Sequence, residues 1–408
     1  MSPTRADIRV AITGGGLAGA TCLRALLKHD HIDAHIFESA PAFKEAGQAI
    51  GMARNAYQAL ELMDLQHCLA DAGAVTQSNA TFMLAEGTEA GKVVDTIDAT
   101  EGKRVTSIVH RAEFLRQLLA GVSPEKMHAS KKLATVDRHP DESLTLHFQG
   151  GTTHDCDLLI GADGIHSTVR KILLGDDPAA NPVPGGWFFL ASLQPYEKLR
   201  SVLGEAYVNK DDPREYDWFG HGGFMMHNFL SDGNLVQFIA CVATDSPDDS
   251  WMKSVPSAQM KGYFKGYPQH LQDALAVALE GEEEEEEEAK CICIWEHLPA
   301  RTYADGPICV MGDAAHATSP WQGSGGGISI EDALVLSSLL GQITPGSPGD
   351  ISTALQVYDD ARRARTQRVV ESSRGTGRLF TGRNPDYTLD VVGLRGRVAS
   401  RWDFILDL

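Results

Sequence analysis

Positive charge is in short supply along these 408 residues: Lys and Arg number 36 against 55 Asp and Glu, a formal net charge of −19 at pH 7. Nucleic acids and anionic membranes are bound through clustered Lys and Arg, so this balance argues against both as partners. Long apolar runs are missing too. No stretch approaches the ~20 apolar residues of a spanning helix. Residues 1–9 lack the apolar segment and small-residue cleavage site expected of a secretory leader. Cysteine is sparse and unpatterned: Cys22, Cys68, Cys156, Cys241, Cys291, Cys293 and Cys309 make an odd set with no CxxC pair. That set argues against a disulfide framework, predicts no metal site, and points to a reducing, cytoplasmic compartment.

What is present is the composition of a globular chain, 43% hydrophobic and 22% charged, long enough for two or three domains. A buried-strand run from Ile8 to Thr13 leads into Gly14-Gly15-Gly16-Leu17-Ala18-Gly19. A helical pattern through Leu23, Leu26 and Leu27 follows, then a second strand at 34–37 that ends in Glu38. This order of strand, glycine turn, helix, strand and acid is a dinucleotide-binding βαβ unit. Gly14 permits the tight turn, Gly16 lets backbone approach a pyrophosphate, and Gly19 lets helix and strand pack closely. The helix N-terminus adds N–H groups and a positive dipole end. Glu38 suits the two hydroxyls of an adenosine ribose and repels a 2′-phosphate, so the bound nucleotide is FAD or NAD rather than NADP. The unit serves flavin and nicotinamide alike and does not choose between them.

Further along, the pattern predicts helices at 55–63 and 112–119 and strands at 133–136, Leu144–Phe148 and 157–160. From about residue 181 longer antiparallel strands are expected, among them Gly223–Leu230 and 235–242, as a sheet-rich second domain. The seven glutamates at 282–288 read as a solvated loop or frayed helix. A buried strand at 308–311 then precedes Gly312-Asp313-Ala314-Ala315-His316, and Gly323 to Gly327 opens a helix carrying Glu331 and Asp332, acids that suit its dipole. Tyr358 to Arg365 is expected to start a basic terminal helix, with Val369 and Val370 as packing residues.

Four motifs in this order resemble the class A flavin-dependent monooxygenases, the para-hydroxybenzoate hydroxylase-like family. They are the Gly14 fingerprint, Gly161-Ala162-Asp163-Gly164, Gly312-Asp313, and the glycine-rich loop with its helix. Pro320-Trp321-Gln322-Gly323 is most similar to the salicylate hydroxylase-like enzymes of fungal secondary metabolism. The resemblance implies an α/β fold: a Rossmann-like FAD-binding domain, an inserted antiparallel-sheet substrate domain and a C-terminal helix. The expected division assigns 1–75, 105–180 and 285–345 to the FAD-binding domain, 76–104 and 181–284 to the substrate domain, and 346–408 to the C-terminal helical region. It implies that Arg111 reaches the FAD phosphates, that Asp163 and Asp313 contact the cofactor (Asp313 its ribityl chain), and that Ala49 meets the flavin by backbone. It also implies that the N–H groups of Gly325 and Gly326 stabilise negative charge on the reduced ring. His316 is expected to make a structural hydrogen bond.

The reaction implied is oxidation of NADPH or NADH, bound transiently, with insertion of one atom of O2 into a small-molecule substrate. Such chemistry requires no protein nucleophile, and no catalytic side chain is assigned. Phenol-hydroxylating relatives carry a substrate-domain Arg and a Tyr-Pro pair, which fall here near Ala191 and Asn228-Phe229, so the usual carboxylate anchor is lacking. A neutral, bulky, apolar or aromatic secondary metabolite is therefore expected, with hydroxylation leading and epoxidation or Baeyer–Villiger insertion as variants. The pocket is expected to draw on Arg54, His221, Met226, Asn228 and Trp321. Two other classes stay open at this point: an FAD-dependent oxidase or dehydrogenase without oxygen insertion, and a non-catalytic flavin-binding protein.

Overall fold

Strand β1 (Ile8–Thr13) is buried at every residue but Arg9, as a strand covered on both faces must be. The chain then turns through Gly14, whose φ of +103° lies where only glycine is at ease, into helix α1 (Leu17–Leu26) and strand β2 (Ile32–Phe37). A methyl group on Gly19 would overlap the Gly14 carbonyl, so the third glycine is what allows the helix to sit this close to the strand. A computed structural model gives these elements, and it describes residues 8–44, 49–98, 106–230, 233–246, 249–280, 288–344, 348–406 and 408.

Helix α2 (Arg54–Leu62) follows, and the chain crosses into a second sheet with β3 (Asn79–Leu84) and β4 (Val93–Asp98). It returns for β5 (Met127–His128), β6 (Leu158–Gly161) and helix α3 (Thr168–Leu174). The long β7 (Pro182–Pro195), helix α4 (Tyr196–Leu203), then β8 (Arg214–Gly220), β9 (Gly223–Leu230), β10 (Leu235–Ala243) and β11 (Met252–Pro256) extend the second sheet. After helix α5 (Gln269–Leu279) and β12 (Glu288–His297), the chain re-enters the first sheet with β13 (Ala304–Asp305) and β14 (Ile308–Val310). Helices α6 (Gly325–Leu340) and α7 (Pro348–Phe380) close the fold.

The first sheet runs β13-β14-β6-β1-β2-β5, parallel except at β13, and the second runs β11-β12-β7-β10-β9-β8-β3-β4. The α/β class, the Rossmann-like half, the antiparallel-rich second sheet and the C-terminal helix all stand as read from the sequence. Alternation gives the second sheet two different faces. Phe188, Trp218, Met225, Phe229 and Phe238 pack with α4 and α5 on one side. Phe82, Phe219, Phe224 and Ile294 face the other way, toward Trp321 and Phe380 at the end of α7.

Two boundaries differ from the sequence reading. Residues 288–297 form β12 of the second sheet, although the first sheet was expected to resume at 285; Cys291 and Cys293 bury against the helix side of that strand. Helix α7 starts at Pro348 and not near Tyr358, because Ile351, Ala354, Leu355 and Tyr358 already form an apolar stripe at helical spacing against the main core. Apart from Glu288, the glutamate run lies outside the described residues. All seven cysteines are free and buried. Among the described residues, no helix is long and apolar enough to cross a membrane.

Candidate active site

A cavity of about 510 Å³ lies between the glycine turns of the first sheet and the open face of the second. Gly16, Leu17 and Ala18 from the start of α1 line it, as do Ala162 and Gly164 after β6, Asp313 after β14, and Gly323 to Gly326 at the start of α6. Neither α1 nor α6 has a side-chain cap at its N-terminus, so both helix starts present backbone to the cavity. Two positive dipole ends thus converge on one space, a setting for anionic groups. Asp313, the first residue of a one-turn helix, is exposed there. The fit to an FAD-type dinucleotide rests on this geometry: Gly14 and Gly19 leave no room for a side chain at the turn, and a methyl on Gly326 would overlap Ile50.

The predicted cofactor residues divide. Gly16, Ala49, Arg111, Asp313, Gly325 and Gly326 all line the cavity. Gly14 and Gly19 stand behind it and shape the turn. Glu38 lies off the wall: Gly15 N–H donates to its Oε2 at 2.7 Å, and Ala40 N–H to its Oε1 at 2.7 Å. Asp163 also faces away from the cavity. Its Oδ2 accepts from the N–H of Thr168 (2.7 Å) and Val169 (3.3 Å) and its Oδ1 from the Ser167 hydroxyl, so it holds the first turn of α3 while Ala162 and Gly164 form the wall.

Of the predicted substrate residues, Met226, Asn228 and Trp321 line the cavity. His221 does not. It sits in the exposed β8–β9 turn with Nδ1 3.4 Å from Glu86, beyond the reach of the pocket. Arg54 is not on the wall either; its Nε donates to the Leu406 carbonyl at 3.1 Å.

Of the polar corner of the substrate side, sequence reading named Asn228 and missed Glu215, Asp217 and Gln237. Glu215 and Asp217 on β8, Asn228 on β9 and Gln237 on β10 all face the cavity. Register places Asn228 opposite Gln237 and Asp217 opposite Met226, so the polar residues form one end of an otherwise apolar floor of Phe82, Phe224, Met226 and Ile239. Burial pushes both carboxyl groups above the usual range, Asp217 well above, and the charge of Glu215 pushes Asp217 further. The signal was legible: in Arg214-Glu215-Tyr216-Asp217-Trp218 the acids share one face and the aromatic rings the other.

Behind the Gly312 turn lies a buried ion-pair network. Gly312 N–H (2.9 Å) donates to Asp332 Oδ2, which lies 2.6 Å from His316 Nε2, while Arg362 Nε (2.7 Å) donates to Asp332 Oδ1. Arg362 also reaches Glu331 at 2.6 Å, where Arg365 and Asn55 join it. His316 makes the structural hydrogen bond expected of it.

The comparisons agree with this geometry. The FAD binding domain family matches residues 7–191 and 268–373. 6-Methylsalicylate 1-monooxygenase atA of Aspergillus terreus is 33% identical over 91% of this chain and 83% of its own. Salicylate hydroxylase of Pseudomonas putida is 30% identical over 99% of this chain and 93% of its own. Among solved structures, a salicylate hydroxylase substrate complex superposes with a TM-score of 0.84 at 25% identity, covering 98% of this chain and 95% of that one.

Proposed function

Because this chain belongs to the FAD binding domain family and is a flavin-dependent monooxygenase, we propose that it hydroxylates a bulky, largely apolar aromatic compound that carries no carboxylate. FAD, when bound, supplies the means to take hydride from NAD(P)H and to activate O2. The protein's part is to bind, orient and exclude water. Gly16 with the start of α1 would hold the pyrophosphate, Arg111 would add charge to it, and Glu38 would meet the adenosine ribose. Asp313 would take a ribityl hydroxyl, and the N–H groups of Gly325 and Gly326 would stabilise charge on the reduced ring. Seven unpaired cysteines favour a reducing compartment such as the cytoplasm.

The observation that carries this reading is a single cavity with helix N-termini on one wall and an apolar sheet face on the other. The two named relatives act on salicylates, yet the sheet face presents the buried acids Glu215 and Asp217 and, among its described residues lining the cavity, no cation to pair with a carboxylate. The test is incubation of the flavin-loaded enzyme with NAD(P)H, ¹⁸O₂ and a panel of aromatic compounds. One labelled oxygen is expected in a product from a substrate lacking a carboxylate. Tight coupling to salicylates alone overturns the substrate class, and flavin reduction without label in any product overturns oxygen insertion.

A further inference from the structure

The polar corner of the cavity has the composition of a receptor and not of a wall. Asn228 is 3% exposed; its Nδ2 donates to Glu215 Oε2 at 2.7 Å, and its Oδ1 has no hydrogen-bond partner. Asp217 and Gln237 are 5% and 6% exposed. Among the described residues, neither has a side-chain hydrogen bond. A buried acceptor without a donor is costly, so the open Oδ1 of Asn228, with Asp217 and Gln237 facing the same space, marks an unfilled partner. Charge states the partner's sign. Among the described residues lining the cavity, Arg111 is the one cation, and it begins a helix outside the second sheet, after the Thr106–His110 strand.

We infer that Glu215, Asp217, Asn228 and Gln237 form a specificity subsite for a protonated, hydrogen-bond-donating nitrogen on the substrate. The inference rests on the monooxygenase reading above and adds a basic amine to the apolar aromatic body. An ammonium group supplies donors to the open acceptors of Asp217 and Asn228 and restores the negative charge that burial suppresses in the two acids. A neutral counterpart leaves those acceptors unpaired, and a carboxylate brings no donor to them and finds no cation among the four residues.

Three probes of one shape and different charge test this: tryptamine, 3-ethylindole and indole-3-propionate, titrated into the flavin-loaded enzyme and followed by the change in flavin absorbance. Tryptamine is expected to bind at least ~10-fold more tightly than 3-ethylindole, the loss expected for one buried charge-assisted hydrogen bond of ~1.5–3 kcal/mol, with indole-3-propionate weakest. In Asp217→Asn and Glu215→Gln, each chosen to keep shape and checked for retained flavin, the tryptamine preference collapses toward equality. Equal binding of the three probes, no binding by any, or a preference that survives both substitutions overturns the subsite. The monooxygenase reading is judged separately by ¹⁸O incorporation, so either can fail without the other.

Discussion

Asp163 and Asp313 occupy matching places after two parallel strands, and their surroundings give them opposite work. The Asp163 carboxylate is already spent on Ser167, Thr168 and Val169 at the start of α3. Asp313 is exposed on the cavity wall. Asp163→Ala is therefore expected to lower stability by about 1 kcal/mol, the worth of a helix cap, and Asp313→Ala to weaken FAD without lowering the melting temperature of the flavin-free protein. Flavin titration and thermal melts of both forms check the contrast; equal loss of FAD affinity in the two variants removes it. Residues of the glycine fingerprint were legible because steric demands fix both type and spacing. Asp163 and Asp313 were not separable by motif, since what distinguishes them is which partners each finds after folding. His221 was misplaced for a similar reason: it neighbours the pocket strands in sequence but occupies their exposed turn.

Helices α6 and α7 are joined by charge buried where charge is expensive. Burial opposes ionisation of Asp332, but His316, Arg362 and the Gly312 N–H outweigh it and hold the carboxyl below its usual range. Glu331 is held down likewise by Arg365, Arg362 and Asn55. The same network fixes Gly312, and with it the approach of Asp313 to the cavity. Arg362→Ala removes one partner and leaves buried carboxylates under-compensated, a loss of about 3–5 kcal/mol. Denaturant melts beside the exposed control Arg116→Ala measure it, and a loss no larger than the control's means the network carries no stability. Sequence showed Glu331 and Asp332 only as acids near a helix start. Their partners Arg362 and Arg365 lie about thirty residues on, in a different helix, so the pairing had no local signature. The alternating strands of the second sheet were legible as elements, whereas the face each residue presents became clear only from register.

Across the whole molecule, buried titratable groups set how stability follows pH. Burial lowers His227 and His297 to about 3, so both stay neutral in the fold while the unfolded chain protonates them below about 6.5. The unfolded state then holds more protons, and stability falls as pH drops, by about 1.4 kcal/mol per unit for each such histidine. Glu331 and Asp332, held down in the fold, contribute stability above the unfolded carboxylate range of about 4 and lose it at still lower pH. Glu215 and Asp217 act in the opposite sense: their raised values mean that the fold binds protons before the unfolded chain does, so their contribution favours the fold in acid and is lost as pH rises. Below about pH 6.5 the histidine slope and, wherever the acid pair titrates in the fold, the acid-pair slope therefore oppose each other. Replacing the pair together, Glu215→Gln with Asp217→Asn, is expected to steepen the acid loss of stability, and His227→Gln to flatten it by about one proton's worth. Urea melts at half-unit pH steps read both slopes. Parallel curves for all three proteins would show that the two faces of the second sheet, one holding His227 against α5 and the other holding the acids against the cavity, do not govern the acid response.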